Sequence, residues 1–170
     1  FVPIAVLAVY AGFTYWFPKA TGKMLCEKLG KIHFWGTIIP FTVTFLLLFV
    51  LGMAGQHRRI ADFTQFPELV PYQETRVIVT YCLLVMIAFQ AVFVWNVIKS
   101  LLWGEKADKN PWRANTLEWL VPNVPPHGNF LDGYPEVHRG PYEYSVKGRK
   151  KDYWPQNEPP ESAKLSGNKK

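Results

Sequence analysis

The sharpest chemical signal in this chain of 170 residues is the tripeptide His57-Arg58-Arg59. Guanidinium groups stay charged at any relevant pH, and each can hold a carboxylate through two parallel hydrogen bonds. On a turn, neighbouring arginines point in different directions, so the pair can serve two separate anions. The same residue types also serve as interfacial anchors whose apolar stems lie in a membrane while their charges reach out of it. Residue types alone leave both readings open. Elsewhere the chemistry is sparse. His33, His127 and His138 show no metal-ligand spacing, so no metal site is expected in this segment. Cys26 and Cys82 are too few for a disulfide framework. The sequence has no glycine-rich phosphate loop, no Ser/His/Asp order and no paired carboxylates, so no catalytic residue is expected either. Gln90 and Asn96 lie inside an apolar stretch, where amide side chains usually hydrogen-bond to a neighbouring helix.

The elements that must position these groups follow from an uneven distribution of charge. Hydrophobic residues make up 49% of the chain and the net charge is +6, yet residues 1–103 hold only 8 of the 19 Lys and Arg and 4 of the 13 Asp and Glu. Residues 104–170 carry the remaining charge and 9 of the 14 prolines. A single globular domain with an even core is excluded. Phe1 to Phe17, Phe34 to Gln56 and Val77 to Ile98 carry no formal charge, and a helix of roughly 20 apolar residues crosses a bilayer. The expected fold is an all-α membrane protein with three transmembrane helices at about 1–17, 33–55 and 76–103. An extended segment rich in proline and aromatic residues should follow over 104–160, with a disordered end at 161–170. Pro40 falls inside the second span, with Thr37, Thr42 and Thr44 at hand to satisfy the carbonyl it frees.

Tyr15, Trp16, Phe17, Phe34, Trp35, Trp95 and Trp103 cluster at the span ends, as an interfacial belt would require. Basic residues mostly flank the spans, which points to a lipid bilayer and away from nucleic acid. Four basic residues flank each of the two other ends, against Arg58, Arg59 and Arg76 between the second and third spans. That bias places the loop outside and the tail on the cytoplasmic or matrix face. No initiator methionine is present and the chain opens inside an apolar run, so further residues upstream are expected.

Four stretches recur in a familiar order: Tyr15-Trp-Phe-Pro-Lys-Ala-Thr-Gly22, Lys31-Ile-His-Phe34, Leu51-Gly-Met-Ala-Gly-Gln-His-Arg-Arg59, and Asn115-Thr-Leu-Glu-Trp119 followed by Pro125-Pro-His-Gly-Asn-Phe130. Together they resemble the C-terminal part of subunit I of haem-copper cytochrome c oxidases, from Phe1 to about Phe130. The resemblance implies the last three helices of a twelve-helix bundle. It also implies an enzyme, cytochrome c oxidase acting as part of a complex, which passes electrons from cytochrome c to oxygen and pumps protons. Arg58 and Arg59 match the family's arginine pair, which implies that they bind the propionates of the low-spin and high-spin haems. His57 stands where the family commonly has proline, and it is a further candidate for that hydrogen-bond network.

The family's haem and copper ligands would lie upstream of Phe1, so copper belongs to the complete subunit and is not ligated by this segment. The implied partners are the upstream part of subunit I, the other oxidase subunits and cytochrome c, in a bacterial plasma membrane or a mitochondrial inner membrane. A quinol oxidase of the same superfamily and a non-catalytic scaffold subunit are the alternatives. Beyond Phe130 no counterpart is expected.

Overall fold

A computed structural model describes residues 2–60, 62–131, 133–144, 146–147 and 151–160. The end expected to be disordered, 161–170, lies outside the described residues. Three α-helices carry the chain: α1 (Val2–Thr21), α2 (Glu27–Met53) and α3 (Gln73–Trp103). They extend past the expected spans at three of the six ends, at Thr21, Glu27 and Gln73, because a helix continues through the polar flanks that leave an apolar core. Short 3₁₀ turns occupy Phe63–Gln65, Pro67–Tyr72 and Leu117–Trp119. Among the described residues, two stretches are long and apolar enough to cross a membrane, Glu27–Met53 and Pro67–Trp103. The first helix, expected as a third span, is not one of them. It is shorter, at 20 residues, and includes Pro18 and Lys19.

The fold divides into two compact units. Cys26–Leu102 holds α2, the loop and α3. The other unit joins the described residues up to Leu25 with those from Trp103 onward.

In the first of these units α2 and α3 run antiparallel, because their partners pair in opposite chain order: Cys26 with Asn96, His33 with Gln90, and Gln56 with Arg76. The buried residues of α2 are His33, Thr37, Pro40, Thr44 and Leu51. Their spacing of three, four and seven makes one stripe along the helix. Most of the remaining apolar side chains of both helices face outward, including Phe45, Leu46, Phe49, Leu84 and Ile87. In water such surfaces would aggregate, and in a bilayer or a larger helix bundle they are at equilibrium.

Polar groups inside the pair are matched with care. Cys26 precedes α2 but gives it no side-chain cap. Instead Asn96 accepts from the Cys26 amide at 3.0 Å and donates to the Cys26 carbonyl at 3.1 Å. Gln90 pairs with the His33 ring at 3.2 Å, and donates to the Thr37 hydroxyl at 3.1 Å and to the Met86 carbonyl at 3.0 Å. Both amides therefore do what an amide in an apolar helix must do. The expected service of the threonines to Pro40 does not take that form. Thr42 donates to the Ile38 carbonyl, Thr37 accepts from Gln90, and the Thr44 hydroxyl is buried with no partner among the described residues. Helix α2 nevertheless continues unbroken through Pro40.

Gly36 is required by close approach, since a Cβ built there would overlap the ring of Phe89. Gly36→Ala is expected to destabilise the hairpin by about 1–3 kcal/mol, the usual cost of overpacking. Adding Phe89→Leu should recover part of that loss, because the two sites share one contact. Thermal denaturation of the assembled protein measures both; an unaltered midpoint in Gly36→Ala would contradict the contact.

Candidate functional site

The arginine pair follows directly from how α2 ends. The Gly55 amide reaches the Gly52 carbonyl and the Gln56 amide reaches back to the Leu51 carbonyl, both at 3.1 Å. Gly55 itself sits at φ +92°. This is the Schellman arrangement, in which a glycine takes the left-handed conformation that a side chain would resist and two orphan carbonyls are satisfied. The sequence Leu51-Gly-Met-Ala-Gly55 thus stops the helix and delivers His57, Arg58 and Arg59 immediately past its end.

All three side chains are exposed. Among the described residues, neither arginine has a hydrogen bond or an ion pair within the chain, whereas the His57 ring lies 6.0 Å from that of Phe66. Arg59 adopts φ +62°, a conformation that costs a residue with a Cβ roughly 1–2 kcal/mol. Strain of this kind persists where the surroundings fix it, and it collects at functional turns. The structure therefore brings the three expected residues together on one turn beyond an apolar helix, with no ion pair to any of them among the described residues.

The rest of the loop is anchored. Asp62 caps the first 3₁₀ turn, accepting from the Thr64 amide at 2.9 Å and the Thr64 hydroxyl at 2.6 Å. These bonds hold its carboxyl below the usual range. Leu69 is fully buried. Arg76, in the opening turn of α3, donates to the Leu69 carbonyl at 3.0 Å and to the Gln56 side chain at 3.1 Å, and lies 4.1 Å above the Phe63 ring. Sequence reasoning counted Arg76 only as a flanking charge. The signal was available: a cation at a helix N-terminus opposes the helix dipole and needs another use.

The second unit holds a knot of side chains around Lys19, which sequence reasoning also missed. Lys19 is 7% exposed. Its ammonium donates to the Val121 carbonyl at 2.7 Å and the Lys109 carbonyl at 3.3 Å, and lies 4.8 Å from the centre of the Trp119 ring. Its own carbonyl accepts from the Val124 amide at 2.8 Å, which holds that β-branched residue at φ +57°. Burial pushes the Lys19 ammonium below the ordinary lysine range; the Lys109 charge acts the same way and Glu118 opposes it.

Tyr15 and Phe17 leave the expected aromatic belt, Tyr15 for this knot and Phe17 for a buried position. The Tyr15 hydroxyl accepts from the Trp119 indole at 2.8 Å and its carbonyl accepts from Trp112 at 2.9 Å, while Phe17 is buried. Trp16, Trp35, Trp95 and Trp103 remain exposed, as a belt requires.

Asn115, 1% exposed, grips the far tail. Its side chain accepts from the Trp154 amide at 2.7 Å and donates to the Asp152 carbonyl at 3.0 Å, and its carbonyl accepts from the Gln156 amide at 3.0 Å. Arg139 completes the strap by stacking 3.7 Å above Trp154 and donating to the Pro155 carbonyl. No three His, Cys, Asp or Glu residues gather as a metal site among the described residues.

Two antiparallel helices, each long and apolar enough to cross a membrane, are thus joined by a loop that opens on two arginines without an ion pair among the described residues. The comparisons with known proteins give the class. A family model described as cytochrome c and quinol oxidase polypeptide I matches residues 1–85, half of the chain. The alternative cytochrome c oxidase subunit 1 of Bradyrhizobium diazoefficiens is 38% identical over 164 residues, covering 95% of this chain and 28% of that protein. Cytochrome c oxidase subunit 1 of Synechocystis sp. is 40% identical over 142 residues, covering 84% and 25%. The Corynebacterium diphtheriae protein of the same description is 41% identical over 127 residues, covering 74% and 22%. The chain belongs to the cytochrome c and quinol oxidase subunit I family, and spans between 22% and 28% of the length of these relatives. The match over 164 residues runs into the tail beyond Phe130, which corrects the expectation that this part has no counterpart.

Asn115→Ala is expected to cost about 2–4 kcal/mol, since it removes two hydrogen bonds at a buried position and orphans the Trp154 amide and the Asp152 carbonyl. Limited proteolysis should then cut near Asp152 faster than in the parent protein; equal rates would contradict the grip. Lys19 yields a pH prediction. Its depressed folded pKa means that the unfolded chain binds the proton more tightly. Its contribution to stability is therefore complete above the ordinary lysine value and is lost as pH falls through the folded pKa. Lys19→Met should abolish that rise in thermal stability on the alkaline side, and an identical pH profile would refute the assignment.

Proposed function

We propose that the chain is the C-terminal three-helix portion of the catalytic subunit of a proton-pumping terminal oxidase that passes electrons from cytochrome c to oxygen. On this reading α1, α2 and α3 are the last three of twelve helices, the upstream portion supplies the metal ligands including those of copper, and the protein lies in a bacterial plasma membrane or a mitochondrial inner membrane. The observation that carries the reading is the turn at His57-Arg58-Arg59: two charged guanidiniums, exposed and without a carboxylate among the described residues, at the end of an apolar helix. Two anions at the membrane boundary fit that turn, and the propionates of two haems are such anions.

The haems, when bound, supply the redox chemistry. Arg58 and Arg59 would each hold a propionate, replacing the water that a carboxylate loses on burial. Their permanent charge also makes addition of an electron nearby more favourable. His57, beside them with its ring 6.0 Å from that of Phe66, would accept or donate a hydrogen bond at the same carboxylates. The relatives described as cytochrome c oxidase subunit 1 favour cytochrome c over quinol as donor. Other oxidase subunits are the expected partners.

Arg58→Ala and Arg59→Ala test the reading in the intact oxidase. Removing a cation beside a propionate stabilises the oxidised haem, so midpoints should fall, by about 60 mV for each ~1.4 kcal/mol of lost interaction. Pumping should suffer more than assembly. Unchanged pigment spectra and potentials in both variants would favour a scaffold subunit in which these arginines are ordinary anchors.

A further inference from the structure

We infer that Arg76 is the positioning residue of the arginine turn, holding Arg58 and Arg59 in register from the far side of the loop. The inference rests on the propionate reading and adds to it a residue with no place in the anion contacts themselves.

Three segments enclose the turn, and the Arg76 guanidinium touches each of them. One nitrogen donates to the side chain of Gln56, the residue immediately before His57. The other donates to the carbonyl of Leu69, in the 3₁₀ segment Pro67–Tyr72. The guanidinium plane covers Phe63 in the first 3₁₀ turn. Side chains on a helix lean toward its N-terminus, which carries the Arg76 fork back over the loop that precedes α3. Gln56 is itself pinned by its amide to Leu51 at the end of α2. The Arg58–Arg59 backbone therefore starts from a residue fixed at both ends, one end to α2 and the other to α3. A turn that carries a residue at φ +62° needs such fixing, since a free loop would relax into a less strained conformation.

The chemistry of the fork makes the role specific to arginine. Two acceptors in different directions and a stacked ring need a planar group with several donors. Lysine would keep the charge and lose the geometry. Gln56 provides the complementary control, because its replacement breaks the tether while leaving the Arg76 charge in place.

The test uses the intact oxidase with Arg76→Lys, Gln56→Leu and, as reference, Arg58→Ala. Hydrogen exchange of the Gln56 amide, bonded to the Leu51 carbonyl, reads the tether without reference to haem, and haem midpoint potentials read its consequence. Exchange should quicken about tenfold in Arg76→Lys and Gln56→Leu, the change expected for loss of about 1.4 kcal/mol. Midpoints should fall in both, by less than in Arg58→Ala. Unchanged exchange in both variants overturns the tether. Faster exchange with unmoved potentials, while Arg58→Ala shifts them, overturns the positioning role and leaves the propionate reading intact. Potentials unmoved in Arg58→Ala overturn the propionate reading itself, and the exchange data then decide the tether alone. A fall in Arg76→Lys without one in Gln56→Leu also counts against positioning through Gln56.

Discussion

A polar group surrounded by apolar side chains must find a partner, and much of Cys26–Leu102 is arranged by that requirement. An unpartnered amide or hydroxyl in hydrocarbon costs several kcal/mol. The two amides of α3 are each spent on a group of α2 that could not serve itself: Asn96 on the uncapped backbone at Cys26, Gln90 on the His33 ring and the Thr37 hydroxyl. Hydrophobic attraction cannot hold two helices together in lipid, where the surroundings are as apolar as the side chains. Hydrogen bonds and close approach do so instead, the latter through Gly36 against Phe89.

The same requirement shapes the end of α2. The Schellman turn satisfies the last carbonyls of the helix, and the Arg76 fork ties Gln56 and Leu69 to the start of α3. Between these two fixed points lies the one stretch of the loop whose cations have no partner within the described chain. Arg76 is held within the loop, whereas Arg58 and Arg59 stay exposed without an ion pair among the described residues, which leaves them free for the ligand proposed above. The family membership makes haem carboxylates the natural proposal for that ligand.

The unit formed by the first residues and the tail solves a different problem: how to order a segment crowded with proline. Helices and sheets are denied to it, so side chains do the ordering. Lys19 gathers two carbonyls and a tryptophan ring, and Asn115 acts as a neighbouring strand would, offering a donor and an acceptor to the backbone at 152–154. The motif Asn115-Thr-Leu-Glu-Trp119 thereby acquires a structural explanation. Its asparagine and its tryptophan are the two residues at 1% exposure around which the tail closes.

The sequence by itself determined the three helices, the interhelical use of Gln90 and Asn96, and the placement of His57-Arg58-Arg59 just past a helix end. Those features depend on short-range pattern: runs of apolar residues and a glycine at a helix stop. Tertiary structure alone decided which of the three arginines between α2 and the body of α3 would be held and which left without an ion pair among the described residues. Arg58, Arg59 and Arg76 have the same chemistry in one dimension, and only the return of α3 alongside α2 brings Arg76 onto Gln56. It likewise decided that Tyr15 and Lys19 turn toward residues roughly a hundred positions further along. Contacts between residues so distant in the chain leave no periodic trace in it, because nothing local forces either partner to be where it is.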